Sequence, residues 1–131
     1  MPSSWSLRRY RLLNRWIHRG WGWMVSNGAV GPGSETAARF GTFGRGSLVG
    51  FPWSTLYGER QIHIGEDTLV SAWTTLCTGY GPEQTTVPPR ALVIGDRCVI
   101  GLRCGIVAHE SIEIGDDVWF GQEIYVTDAN H

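Results

Sequence analysis

Ile94-Gly95-Asp96-Arg97-Cys98-Val99-Ile100-Gly101-Leu102-Arg103-Cys104-Gly105-Ile106 repeats an aliphatic residue every six positions and twice sets a glycine directly after it. The rhythm extends in both directions, through Ile64, Val70 and Leu76 on one side and Ile114, Phe120 and Val126 on the other. Gly65, Gly95, Gly101, Gly115 and Gly121 follow their aliphatic residues, which suggests tight corners where a Cβ would obstruct the turn. Ser71, Cys77, Val107 and Thr127 depart from that rule. Two residues before each aliphatic position a second compact side chain recurs: Ile62, Thr68, Thr74, Leu92, Cys98, Cys104, Ile112, Val118 and Ile124. A period of two nested in a period of six describes short strands, each buried on one face and joined by corners. Three hexads make one coil, and repeats this short mark a stacked parallel solenoid rather than a globular core.

Composition agrees with one small all-β domain preceded by a helix. The chain has 131 residues, 42% of them apolar and 18 of them glycine, enough to fill a narrow prism and its corners. A net charge of −1 provides no overall basic field, so nucleic acid is not an expected partner.

Charge is nevertheless segregated. Arg8, Arg9, Arg11, Arg15 and Arg19 all fall ahead of Val30, in a stretch where no acidic residue occurs and four of the seven tryptophans lie. Trp5, Leu12, Leu13, Trp16 and Ile17 recur at helical spacing, so residues 1–25 form an Arg- and Trp-rich segment with an amphipathic helix over about 5–19, closed by Gly20. The leading expectation is that its apolar side caps the first coil of the solenoid. The competing one is peripheral membrane contact through Trp5, Arg8, Arg9, Arg15 and Trp16. Arginines interrupt the apolar stretch and no cleavage site follows it, which argues against a signal peptide, and nothing reaches transmembrane length. The expected location is the cytoplasm, with or without contact at the inner membrane face.

Residues 26–131 are assigned to the solenoid. Asn27, Gly28, Gly31, Pro32 and Gly33 read as a linker, and Phe43, Val49 and Thr55 as an irregular first coil. Gly44, Gly46 and Gly50 lack the strand-to-helix setting and the lysine of a phosphate-binding loop. Between Leu76 and Ile94 the register breaks over about 78–91, where Gly79, Gly81, Pro82, Pro88 and Pro89 require a loop ejected from a corner.

Cys98 and Cys104 stand at inward positions that want a small hydrophobe, and with Cys77 they have the spacing of neither a disulfide set nor a zinc site. His18 is expected to be solvated and His63 to point outward. No metal is expected from His63, His109 and His131, because the last two stand too far apart in the sequence.

The run Ile114-Gly-Asp-Asp-Val-Trp-Phe-Gly-Gln-Glu-Ile-Tyr-Val-Thr-Asp-Ala-Asn-His131 resembles the coil that ends in the catalytic histidine of hexapeptide-repeat acyltransferases, particularly the maltose and galactoside O-acetyltransferase type. The resemblance covers about residues 40–131. It implies a left-handed parallel β-helix of about four coils, a homotrimer, and acetyl-CoA or another acyl-CoA as co-substrate in a groove between subunits. It also implies that His131 is the base that deprotonates the hydroxyl or amine of a sugar or other small envelope precursor. A neutral imidazole can take that proton as the acceptor attacks the thioester carbonyl. His109, Asp128 and Asn130 are the candidate acceptor-binding residues, His109 standing near where the sugar acetyltransferases hold an acid. No residue is assigned to acyl-CoA.

The family continues past its histidine with a loop and further coils, so the chain reads as truncated after His131. The alternative function is therefore a non-catalytic remnant or trimeric assembly module that keeps the prism without a donor site.

Overall fold

The computed structural model of the protein describes residues 4–84 and 86–129. A helix α1 (Ser4–Gly28) is followed by short strands: β1 (Thr42–Phe43), β2 (Leu48–Val49), β3 (Thr55–Tyr57), β4 (Ile62–Ile64), β5 (Leu69–Val70), β6 (Thr75–Thr78), β7 (Leu92–Ile94), β8 (Val99–Ile100), β9 (Gly105–Ala108), β10 (Ile112–Ile114) and β11 (Tyr125–Thr127). They form three parallel sheets, ordered β1-β4-β7-β10, β2-β5-β8 and β3-β6-β9-β11. The chain visits the three sheets in turn and then returns to the first, one layer on, which is the solenoid that the hexads demand.

The register follows the aliphatic rhythm. Ile64 pairs with Ile94 and Ile94 with Ile114, while Val70 pairs with Ile100 and Leu76 with Ile106. Ile62, Ile64, Val70, Leu76, Leu92, Ile94, Ile100 and Ile106 are buried almost completely and fill the prism. Truncating one of these isoleucines to alanine costs about 2–5 kcal/mol, since neighbours stacked above and below cannot collapse into the gap. Val126 is only half-buried and Ile124 is exposed, because β11 is the outermost strand of its sheet.

Two expectations need correction. A coil is not three equal hexads: the step from Ile94 to its partner Ile114 is longer than that, because the corner between β9 and β10 carries extra residues at His109, Glu110 and Ser111. At Gly65, Gly95 and Gly101 a Cβ would meet the neighbouring coil, as expected, and none of the repeating glycines has a positive φ. Apart from Gly33, Gly46, Gly58 and Gly79, the positive-φ positions among the described residues are Asp67, Arg97 and Asp117 at one corner and Trp73, Arg103 and Glu123 at the next, with φ between 53° and 62°. Each of these non-glycine residues donates its N–H to a carbonyl of the preceding coil, as Asp117 does to Asp96 (2.9 Å), which holds the unusual conformation in place. Glycine is needed elsewhere for closeness: a Cβ on Gly95 would lie 2.8 Å from the Gly115 backbone, and one on Gly101 would overlap the Gly121 carbonyl.

The second correction concerns the helix. It runs through Gly20 and Gly22 to Gly28, and no residue of it is buried. Its apolar side does not cap the first coil, so the segment expected as a linker from Asn27 begins inside the helix. The cap comes instead from residues 30–40: Val30 bridges Val49 in antiparallel fashion, and Val30, Ala37 and Phe40 are buried in the core. These side chains cover the end of the prism at a shorter chain distance than α1.

Candidate functional site

The corner after β9 gathers the residues with chemistry. Ala108 is buried at the end of β9, and the chain then turns through His109, Glu110 and Ser111 into β10. Three successive backbone N–H groups would be left unpaired in such a turn. Asp128, directly after β11, accepts all three: His109 N to Oδ1 at 2.6 Å, Glu110 N to Oδ2 at 2.9 Å and Ser111 N to Oδ2 at 2.6 Å. Partial burial pushes the Asp128 carboxyl upward, but the three N–H donors outweigh it and hold the group below the usual carboxylate range. Its two oxygens are thus engaged by the backbone, and the carboxylate positions the corner that carries His109.

His109 is half-buried, and its Nδ1 is shut away from solvent with no hydrogen-bond partner among the described residues. Over its ring lies Tyr80, from the ejected loop, at a centroid distance of 4.1 Å. The loop is anchored on both sides of this contact. Gln84 Oε1 accepts the Tyr80 N–H (2.7 Å), Val87 is buried, and the Pro89 carbonyl accepts a hydrogen bond from His63 Nε2 (2.9 Å). Thr42 Oγ1 lies 2.9 Å from the other His63 nitrogen. With Pro89 as an acceptor, His63 is the Nε2–H tautomer, taking the threonine proton at Nδ1. His63 therefore fastens the loop to the first sheet, and His18 is exposed on α1.

His109 and Asp128 are brought together, with Asp128 meeting the backbone of the histidine rather than its ring. Asn130 and His131 lie outside the described residues. Tyr80 is the residue that sequence reasoning missed, since an aromatic in an irregular loop carries no periodic signal. Among the described residues no three His, Cys, Asp or Glu side chains converge as metal ligands would.

A shallow groove runs along the corner between the second and third sheets, lined by Trp73, Arg103, Glu123, Ile124 and Tyr125. Arg103 Nε donates to Glu123 Oε1 at 3.0 Å. One corner away, Arg97 makes a two-pronged pair with Asp117 at 2.8 and 3.1 Å. Both pairs are exposed and link successive coils, where solvent screens them. Trp119 is 77% exposed.

Cys98 and Cys104 are buried as expected, but they act as more than small hydrophobes. Cys98 Sγ donates to the Gly115 carbonyl (3.0 Å) and Cys104 Sγ to that of Gly121 (3.1 Å). Ser47 makes the same contact to Gly65, and Thr68 to Gly95 at 2.6 Å, so the inward column carries a ladder of side-chain donors between coils. The signal was present in Thr68, Thr74, Cys98 and Cys104, all small and all able to donate.

Residues 91–127 match the family model described as the hexapeptide repeat of succinyl-transferase. The match runs from the start of β7 to the end of β11, less than a third of the chain, and identifies that segment as a hexapeptide repeat of the kind typical of acyltransferases. No curated protein and no solved structure matches the chain.

Proposed function

We propose that the protein is an acyl-CoA-dependent acyltransferase, most simply an acetyltransferase that modifies a hydroxyl or amine of a sugar or other small envelope precursor. The reading rests on one observation: the repeat match over residues 91–127 leads directly into Asp128-Ala129-Asn130-His131, the sequence that resembles the catalytic end of the acetyltransferase coil. In this proposal the solenoid is a left-handed β-helix of about four coils. Three copies assemble side by side, with acetyl-CoA between neighbouring prisms. The exposed apolar side chains of Trp73, Ile124 and Tyr125 suit a side-by-side contact.

His131 serves as general base. It takes the proton from the acceptor hydroxyl or amine as that atom attacks the thioester carbonyl, and coenzyme A leaves as its thiol. His109 borders the acceptor, with Asn130 as a further polar contact. Asp128 acts through the corner that it holds.

The test is thiol release from acetyl-CoA in the presence of a panel of hexose and amino-sugar acceptors. His131→Ala should lower kcat by roughly 10²- to 10⁴-fold and leave CoA affinity nearly unchanged. A loss under about threefold would move the base to another residue, with His109 next to be tried. Absence of CoA binding in the assembled oligomer would overturn the acyltransferase reading itself.

A further inference from the structure

The helix α1 leaves unexplained apolar surface. Trp5, Trp16 and Trp23 are 69%, 62% and 68% exposed, and Leu12, Leu13 and Ile17 are exposed beside them. A soluble prism gains nothing by presenting this surface to water, and large exposed apolar patches mark contact sites.

The charge on the same helix says what kind of contact. At about 100° per residue, Arg8, Arg11, Arg15 and Arg19 fall within about 80° of arc, flanked on one side by Trp5, Leu12, Trp16 and Trp23. Arg9 lies on the apolar side, where its stem can follow the tryptophans while its head reaches the polar boundary. The helix contains no acidic residue. The remainder of the chain carries six arginines against twelve acidic residues, so positive charge is concentrated on α1 and the prism is net negative. No described helix is long and apolar enough to cross a membrane.

We propose that α1 docks the protein on an anionic lipid bilayer, lying in the interface plane with its tryptophans at headgroup depth and its arginine arc against lipid phosphates. The apolar arc supplies burial, and the arginines supply attraction of the right sign. The acidic prism is repelled by the same surface, so only the helix approaches it. This proposal does not depend on the acyltransferase reading.

The experiment is co-sedimentation of the full chain with phosphatidylcholine vesicles, with and without phosphatidylglycerol. Binding is expected only to the anionic vesicles and should weaken with salt. Arg8→Gln, Arg11→Gln, Arg15→Gln and Arg19→Gln should each reduce it about fivefold, and the four together by roughly two to three orders of magnitude. Trp16→Ser should weaken binding as well, by removing buried apolar area rather than charge. Because no α1 residue is buried, these variants should keep the far-UV dichroism and melting temperature of the wild type. The proposal is overturned by failure to bind anionic vesicles, or by binding that ignores the arginines. It is equally overturned if the apolar arc proves to be covered by a second copy, seen as an oligomer that Trp16→Ser dissociates and that does not sediment with vesicles.

Discussion

The ring of Tyr80 lies on the ring of His109, their centroids 4.1 Å apart and their planes tilted by 35°. The contact joins two segments distant in the sequence, the ejected loop and the β9–β10 corner, at an imidazole whose Nδ1 is buried and has no hydrogen-bond partner among the described residues. The loop is thereby part of the candidate site rather than an appendage to the scaffold.

Tyr80→Ala should cost about 0.5–1.5 kcal/mol, the usual worth of an aromatic pair beyond its buried area. Urea unfolding measures that loss. Limited proteolysis should find cleavage between Gly79 and Ala91 accelerated. Unchanged cleavage would mean that Val87 and the His63–Pro89 bond hold the loop by themselves.

Asp128→Asn should destabilise the fold by about 1–3 kcal/mol at neutral pH, because the amide brings N–H donors toward backbone donors and leaves part of the corner unsatisfied. The folded-state carboxyl titrates below its unfolded value of about 3.9. Its contribution is therefore fully present above that value and is lost as pH falls through the lower, folded one. Unfolding measured at neutral pH and again near pH 3 should show the difference between wild type and variant shrinking in acid. A gap that widens in acid would assign the effect to something other than the ionised carboxylate.

Gly95→Ala and Gly101→Ala should each destabilise by about 1–3 kcal/mol or more, since the new methyl meets the backbone of the next coil. Gly115→Ala and Gly121→Ala occupy the same places in the repeat but meet nothing within 4 Å, and should be nearly neutral. Melting temperatures of the four variants decide this. Equal losses at all four positions would reveal another layer stacked on the outermost coil.

Cys77, Cys98 and Cys104 should remain unlabelled by a thiol reagent until the protein is unfolded, because all three are buried. Burial also pushes the Cys77 thiol above its ordinary pKa, against hydrogen bonding with Tyr57, so little thiolate is present near neutrality. Rapid native labelling of Cys98 or Cys104 would contradict the inward column.

The strands were legible because each inward residue announces itself by its spacing. Ile64, Ile94, Ile100 and Ile106 need no distant partner to be recognised, since every coil presents the same environment. What the spacing could not disclose was three-dimensional in origin. Gly95 is small because of Gly115, a full coil away, while left-handed positions went to Trp73, Arg97 and Arg103, whose side chains suggest no turn. Gly20 and Gly22 proved compatible with helix, although a Cβ on either would meet nothing within 4 Å outside the helix's own backbone, so no packing contact called for glycine there. Helical period predicts an apolar side but not what covers it, which is why capping by α1 was expected and residues 30–40 do it instead. At the candidate site, His109 and Asp128 were named from the resemblance to the acetyltransferase coil, whereas Tyr80 could not be, because its place depends on how a loop without period folds back.

Between Leu76 and Ile106 the chain travels through the whole ejected loop, yet β6 and β9 pair in register just as β9 and β11 do across a coil without one. Chain length between layers is therefore uncoupled from the spacing of the layers. Every strand finds its neighbour one turn of the solenoid back, so assembly can proceed layer on layer as the ribosome delivers the chain. In such a growth process each finished layer is the template for the next, and an inserted loop delays the next layer without misaligning it.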